Sequence, residues 1–173
     1  MKDIELKTYK ELYVGRSKIA EDGLFAGESI AKGEHILSFG GVFALQNDRY
    51  SGKYLSSTAI GITENINLCE KINSEKDISD YINHSCSPNA GMFDAITIIA
   101  IKDIAQGEEI VCDYSFWETN EDWVMKKECC CGYNHCRKII DGKYWKSIKQ
   151  TDNNFNFFSP FIKRRIIQYG RQD

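Results

Sequence analysis

Proline and histidine are scarce in this sequence, with 2 and 3 occurrences in 173 residues. No apolar run approaches the roughly 18 residues that a membrane-spanning helix needs. The N-terminal MKDIELKTYKELYVGRSK also lacks the apolar core of a secretory signal. These absences argue against a helical membrane protein and lead to the expectation of a soluble, cytoplasmic chain. Neither an internal repeat nor a low-complexity linker interrupts it, which excludes a solenoid or a string of tethered modules. What is present, 42% hydrophobic and 27% charged residues, is the mix of a globular protein rather than a disordered one. At this length one domain with a real core is expected, and two would be cramped.

Charge is unevenly spread. Residues 1–136 hold 22 acidic and 13 basic side chains, whereas residues 137–173 hold 3 and 9. An acidic body attracts a Lys- or Arg-rich peptide more readily than a phosphate backbone. The plainer alternative is that the acidic body and basic tail dock on each other.

Short apolar runs with β-branched and aromatic residues dominate positions 12–115. HILSFGGVF, GITENINLC, FDAITIIAIKDI and EEIVCDY read as strands, and AKGE, ENIN and AQGEE as their turns. Helix is expected mainly at the end. In SPFIKRRIIQYG, Ser159 can cap, Pro160 suits the first helical position and Gly170 the stop, with Ile162 and Ile166 one turn apart. EDWVMKK and GKYWKSIKQ are shorter helical candidates.

Seven cysteines without a secretory signal favour metal ligation or reduced thiols over disulfides. Cys129, Cys131 and Cys136 form C-x-C-x4-C, a spacing that lets three thiolates converge on one Zn2+, and Gly132 supplies the turn. Cys86, in an equally turn-like stretch, is the candidate fourth ligand. The alternative is a set of free thiols with one redox pair, and the choice between Cys129 and Cys130 stays open.

Four blocks occur in a telling order: EDGLFAGESIAKGEHIL (21–37), NHSCSPN (83–89), GEEIVCDY (107–114) and CCCGYNHCR (129–137). Together they resemble SET-domain protein-lysine methyltransferases with a post-SET zinc loop, and the compactness resembles bacterial members more than large eukaryotic ones. The resemblance implies a mainly β fold of small curved sheets (the β-clip or SET fold), with the NHSC segment and the chain after GEEIVCDY crossing as a pseudoknot, and short C-terminal helices. It implies a SET domain over 8–118, a post-SET loop over 126–142 and a helical tail over 143–173.

The same resemblance implies S-adenosylmethionine as cofactor, one structural Zn2+ and transfer of a methyl group to the ε-amine of a lysine. Tyr114 matches the family's catalytic tyrosine and would orient the amine through its hydroxyl. Asp22, Gly23 and Leu24, with Tyr81, Asn83 and His84, would hold the cofactor. Cys112 stands where the family's Phe or Tyr limits the number of methyl groups added, and being smaller it leads to an expectation of di- or trimethylation. Tyr144 or Trp145 would close the lysine channel. The sequence departs from the family at Glu21 and Asp22, acidic where small or basic residues are common, and at Asp80, where Arg is frequent. The expected partner is a lysine-containing basic protein, a histone-like tail or another bacterial or host protein. A SET-like module that binds a basic peptide without turnover is the rival reading. Nucleic-acid binding by the basic tail, through KRR at 163–165 and Arg171, is secondary to both.

Overall fold

The computed structural model describes residues 3–171; the expected tail boundary at 173 falls outside them. The chain runs through short strands: β1 (Lys7–Thr8), β2 (Leu12–Arg16), β3 (Asp22–Ala26), β4 (His35–Ser38), β5 (Val42–Leu45), β6 (Tyr54–Gly61), β7 (Ile66–Lys71), β8 (Asn83–His84), β9 (Ala90–Met92), β10 (Thr97–Ala100) and β11 (Val111–Cys112). One α-helix, α1 (Pro160–Tyr169), follows. The strands stay short because the sequence places turn formers every few residues. At AQGEE, for example, Gly107 takes a φ of +82°, a conformation that a side chain would strain.

Three sheets result. β2 and β3 form a hairpin, β5, β7 and β6 form a second sheet in that spatial order, and the third runs β1-β4-β10-β9-β11-β8. The core is filled by apolar side chains projecting from these strands and their connections, among them Leu24, Ala26, Ile36, Leu37, Ile98, Ile104 and Ile110. Each of the leucines and isoleucines contributes roughly 1.5–3 kcal/mol through burial.

The order of the large sheet matters most for the site. β11 lies parallel to β8 on one side and to β9 on the other, with Val111 opposite Asn83 and Cys112 opposite both His84 and Ala90. Strands β8 and β9 belong to one continuous stretch, so the chain between them must arch past β11. Hydrogen bonds fasten that arch: Ser85 N–H donates to the Cys112 carbonyl (2.9 Å), and Val111 N–H donates to Asn89 Oδ1 (2.9 Å). This is the crossing that the NHSC and CDY blocks implied.

The tail differs from expectation in two places. EDWVMKK is not helical: Met125 N–H donates to the Ile140 carbonyl and Gly142 N–H to the Trp123 carbonyl, so the segment pairs with 140–142 as a bridged extended strip. Its backbone donors go across to a neighbouring segment instead of along a helix. GKYWKSIKQ gives only a single 3-10 turn, Tyr144–Ser147, because Trp145 is drawn into the core and Ile148 continues extended. Helix α1 forms as its caps require: Ser159 Oγ accepts from Ile162 N–H (3.4 Å), Pro160 begins it, Gly170 ends it, and Ile162 and Ile166 are buried. The helix is fastened to the body by Ser159 N–H donating to the Phe116 carbonyl (2.7 Å) and by Phe158 meeting Phe116 edge to face.

Charge also fastens the tail. Arg165 pairs with Glu64 (2.7 Å), Lys146 with Glu121 (2.6 Å) and Arg137 with Asp113 (2.7 Å). The basic tail therefore answers part of the body's acidity internally. Among the described residues no helix is long and apolar enough to cross a membrane.

Candidate active site and cysteine cluster

The crossing places the NHSC and CDY blocks side by side. Asn83, on β8, donates from Nδ2 to the Asp22 carbonyl (2.9 Å) and to Glu109 Oε1 (2.8 Å), tying the first block to the other two. Glu109 also accepts from Ser17 Oγ (2.8 Å). Gly23 lies beneath this group, and a Cβ there would collide with the Glu109 carboxylate, so no other residue fits without rearrangement. The Asp22 carboxylate is paired with Arg16 at 3.1 Å, whereas among the described residues the Glu109 carboxylate accepts only from the neutral Ser17 hydroxyl and Asn83 amide.

His84 is buried, and both ring nitrogens are engaged inside the protein. Nδ1 accepts from Tyr114 N–H (3.2 Å), and Nε2 lies 3.4 Å from Cys86 Sγ. Burial lowers its pKa to about 4, with Asp113 opposing and Arg137 assisting, so the imidazole is neutral at physiological pH. An Nδ1 that accepts puts the proton on Nε2, facing the sulfur. What His84 has left for a bound molecule is its backbone. Tyr81, at the end of the preceding 3-10 turn, is half-buried with the Lys76 ammonium 5.4 Å above its ring.

Tyr114 opens the 3-10 turn Tyr114–Phe116, capped by Asp113, whose carboxylate accepts from Ser115 N–H (3.0 Å) and Ser115 Oγ (2.6 Å). The Tyr114 hydroxyl donates to the Ile82 carbonyl (2.9 Å). Burial, followed by the nearby Cys112 thiol, raises its pKa well above the ordinary tyrosine value, so it stays a neutral hydroxyl. Its ring lies 5.6 Å from that of Trp117 and 6.3 Å from that of Trp123.

A cavity of about 570 Å3 opens over Tyr114, with Phe39, Ile60, Ile82, Trp117 and Trp123 on one part of its lining and polar groups, among them Thr58, Lys76, Asp80 and Glu118, on the rest. Cys112, Tyr144 and Trp145, expected at the channel, do not line it. Cys112 is fully buried next to Tyr114 in the core; Trp145 packs against Tyr169; Tyr144 stacks under the Arg137 guanidinium at 3.7 Å. The aromatic wall is instead Phe39, Trp117 and Trp123. A sequence signal for them existed: two of the three tryptophans lie within ten residues after the DY pair. Asp80 is partly buried, and burial together with neighbouring Asp77 raises its pKa to about 6.

Behind Tyr114, the sulfurs of Cys86, Cys129, Cys131 and Cys136 lie within 4.8 Å of one another. Four thiolates at about 2.3 Å from one zinc in a tetrahedron would be separated by roughly 3.8 Å, so the residues fit a zinc ion after a small contraction. Burial opposes ionisation of Cys131, but backbone N–H groups of Cys86 and Tyr133 and the neighbouring Cys129 and Cys136 outweigh it and bring its pKa down to about 6. Cys130 is exposed and stands outside the cluster, with its thiol turned to the Glu128 carbonyl.

Comparison with known proteins agrees with this arrangement. The SET domain family model matches residues 21–115. The histone-lysine N-methyltransferase trithorax of Drosophila virilis is 33% identical over 149 residues, which cover 78% of this chain and 4% of that protein. The chain thus spans a small part of the length of that relative. Among solved structures, the methyltransferase domain of human histone-lysine N-methyltransferase SETMAR superposes with a TM-score of 0.61 at 19% identity, over 77% of this chain and 58% of that one. KRYPTONITE in complex with mCHG DNA and SAH gives a TM-score of 0.58 at 22% identity, over 77% and 29% respectively.

Proposed function

The chain belongs to the SET-domain family, and on that footing we propose that it is a protein-lysine N-methyltransferase that uses S-adenosylmethionine and acts on a lysine in a basic protein. The observation that carries this is the placement of Tyr114. Its neutral hydroxyl is fixed by the Ile82 carbonyl at the floor of an aromatic-walled cavity, and the strand leading to it is flanked by the Asn83–His84 segment. The trithorax relative is named a histone-lysine N-methyltransferase, and the KRYPTONITE structure contains SAH, the demethylated form of the cofactor.

When bound, S-adenosylmethionine supplies an electrophilic methyl group on a sulfonium. The residues placed to hold it are the backbone of Asp22–Leu24, Tyr81, the side chain of Asn83 and the backbone of His84. The Asp22 carbonyl and the Glu109 carboxylate beside Asn83 suit the cationic parts of such a molecule. For the lysine, the walls of Phe39, Trp117 and Trp123 favour the alkyl stem and its cationic head. The amine must be neutral to attack, and an unperturbed lysine titrates near 10.4. Burial against the aromatic wall beside Tyr114 lowers that value, while the Asp80 carboxyl on the same cavity wall acts against the change. The Tyr114 hydroxyl then orients the lone pair, and the surrounding rings exclude water. One zinc held by Cys86, Cys129, Cys131 and Cys136 would join the tail to the crossing and is structural in this reading.

The test is methyl transfer to core histones and basic bacterial proteins, followed by intact mass and radiolabel, with Tyr114→Phe in parallel. Label on lysine that is lost in the variant is expected. A protein that binds basic peptides but neither binds S-adenosylmethionine nor transfers methyl would instead be a SET-like binding module.

A further inference from the structure

We propose that Arg137 is a positioning residue for Tyr114, transmitting the order of the cysteine cluster to the turn that carries the tyrosine; the role in turnover rests on the methyltransferase reading above. Arg137 follows Cys136 directly. Its backbone N–H donates to Cys86 Sγ (3.4 Å), while its Nη2 donates to both oxygens of Asp113, at 2.7 and 2.8 Å. Asp113 is only 5% exposed and is the capping residue of the Tyr114–Phe116 turn. One side chain therefore bridges the metal-binding loop and the cap of the Tyr114 turn.

A second link runs in parallel. His84 faces Cys86 Sγ through Nε2 and accepts Tyr114 N–H through Nδ1. The two links differ in kind: the histidine holds the Tyr114 backbone by a neutral hydrogen bond, whereas Arg137 neutralises the buried carboxylate that shapes the turn. No other described cation approaches Asp113. The nearest basic atom is His84 Nδ1 at 3.8 Å, and that nitrogen is already the acceptor of Tyr114 N–H, so it offers Asp113 no proton.

The Arg137 side chain has few alternative anchors. Its Nε and Nη1 are buried without a hydrogen-bond partner among the described residues, and its guanidinium is confined on the other face by Tyr144. With Arg137 removed, the Asp113 carboxylate is left buried and uncompensated, and a cap in that state draws in water or swings out of the turn. Either change alters the turn and with it the angle at which the Tyr114 hydroxyl meets the Ile82 carbonyl. A displacement of about 1 Å at a reacting centre lowers a rate by about a hundredfold.

The experiment compares Arg137→Met, Asp113→Asn and the double variant of the full, zinc-loaded chain. Asp113→Asn keeps an acceptor for Ser115 but removes the charge that Arg137 neutralises. Three quantities are read: amide exchange at Tyr114, Ser115 and Phe116 relative to Leu24–Ala26, zinc per chain, and kcat against KM. Arg137→Met is expected to keep its zinc, to exchange faster at 114–116 alone, and to lose about a hundredfold in kcat at little changed KM. In the Asp113→Asn background the same substitution should add little. Wild-type exchange and kcat in Arg137→Met would overturn the proposal. Loss of zinc with exchange rising evenly along the chain would also overturn it, making Arg137 a residue that merely holds metal and fold. If Arg137→Met does not fold, Arg137→Lys takes its place, with an intermediate rise in exchange expected at the same three amides. Absence of methyl transfer by the wild-type protein would refute the methyltransferase reading, while the exchange pattern would still decide the link between the cluster and the turn.

Discussion

Beside the aromatic wall, Arg49 and Glu118 are 2% and 4% exposed in their side chains and form a two-pronged pair, Nη1 to Oε1 and Nη2 to Oε2, each at 3.0 Å. Arg49 also donates to the Ser56 carbonyl (3.2 Å from Nη2), and Glu118 Oε1 accepts from Asn120 N–H (2.8 Å). The pair therefore binds the chain ahead of β6 to the segment that follows Tyr114. Removing one member strands the other charge in the interior, which costs about 3–5 kcal/mol. For a chain of this size 1 kcal/mol shifts Tm by roughly 2–4 °C, so Arg49→Met or Glu118→Leu should each lower Tm by roughly 6–20 °C. Replacing both at once is different, because two apolar side chains of similar volume leave no orphaned charge. The double variant should lie within about 1 kcal/mol of the wild type, a strongly favourable coupling in a double-mutant cycle. Urea and thermal unfolding of the four proteins would measure it. Single variants that each lose less than about 1 kcal/mol, or a double variant as unstable as their sum, would refute the reasoning.

Other outcomes can be checked alongside. Cys131→Ser, or chelation of the wild type, should abolish one equivalent of bound zinc and loosen residues 126–142 toward proteolysis, whereas Cys130→Ser should retain the metal. Glu70 has its pKa raised to about 7, first by burial and then by the hydrogen bond it shares with Asp77, so in the folded protein it holds a proton that the unfolded chain releases near its ordinary value. Stability from that proton is complete below about pH 4.5 and is lost as pH rises through about 7. Glu70→Gln should accordingly raise Tm more at pH 8 than at pH 5, and an equal shift at both would contradict the assignment. Cys112→Phe should lose about 1–3 kcal/mol by overpacking a fully buried position outside the cavity, read by urea unfolding, and an unchanged midpoint would contradict that placement.

Strands and turns were legible from the sequence because short β-branched runs between Gly, Asn and Asp have few other options, and Ser159, Pro160 and Gly170 fixed the limits of α1 for local reasons. EDWVMKK misled because a short amphipathic pattern is decided by what lies opposite it, and residues 140–142 lie far along the chain. The spacing of Cys129, Cys131 and Cys136 anticipated the cysteine cluster, to which the fold brings Cys86, and the structure separates Cys129 from Cys130 by burial, which spacing alone leaves open. The cavity wall was the least legible part. Trp145 and Trp117 are alike in composition and burial; what distinguishes them is that one packs on α1 and the other on Tyr114, a consequence of tail docking that no local pattern records.

The position of β11 also dictates an order of assembly. Among the described residues β8 has no sheet partner except β11, whereas β4, β10 and β9 can pair as a local antiparallel unit beforehand. During synthesis, residues 83–84 therefore wait unpaired until 111–112 have left the ribosome and entered the gap, a long-range closure of the kind that folds late. Tyr114 is two residues beyond that closing strand. The Tyr114 turn, its hydroxyl contact with the Ile82 carbonyl and the bond from Ser85 N–H to the Cys112 carbonyl beside Cys86 all wait on that one closure, so they should form together and late in folding.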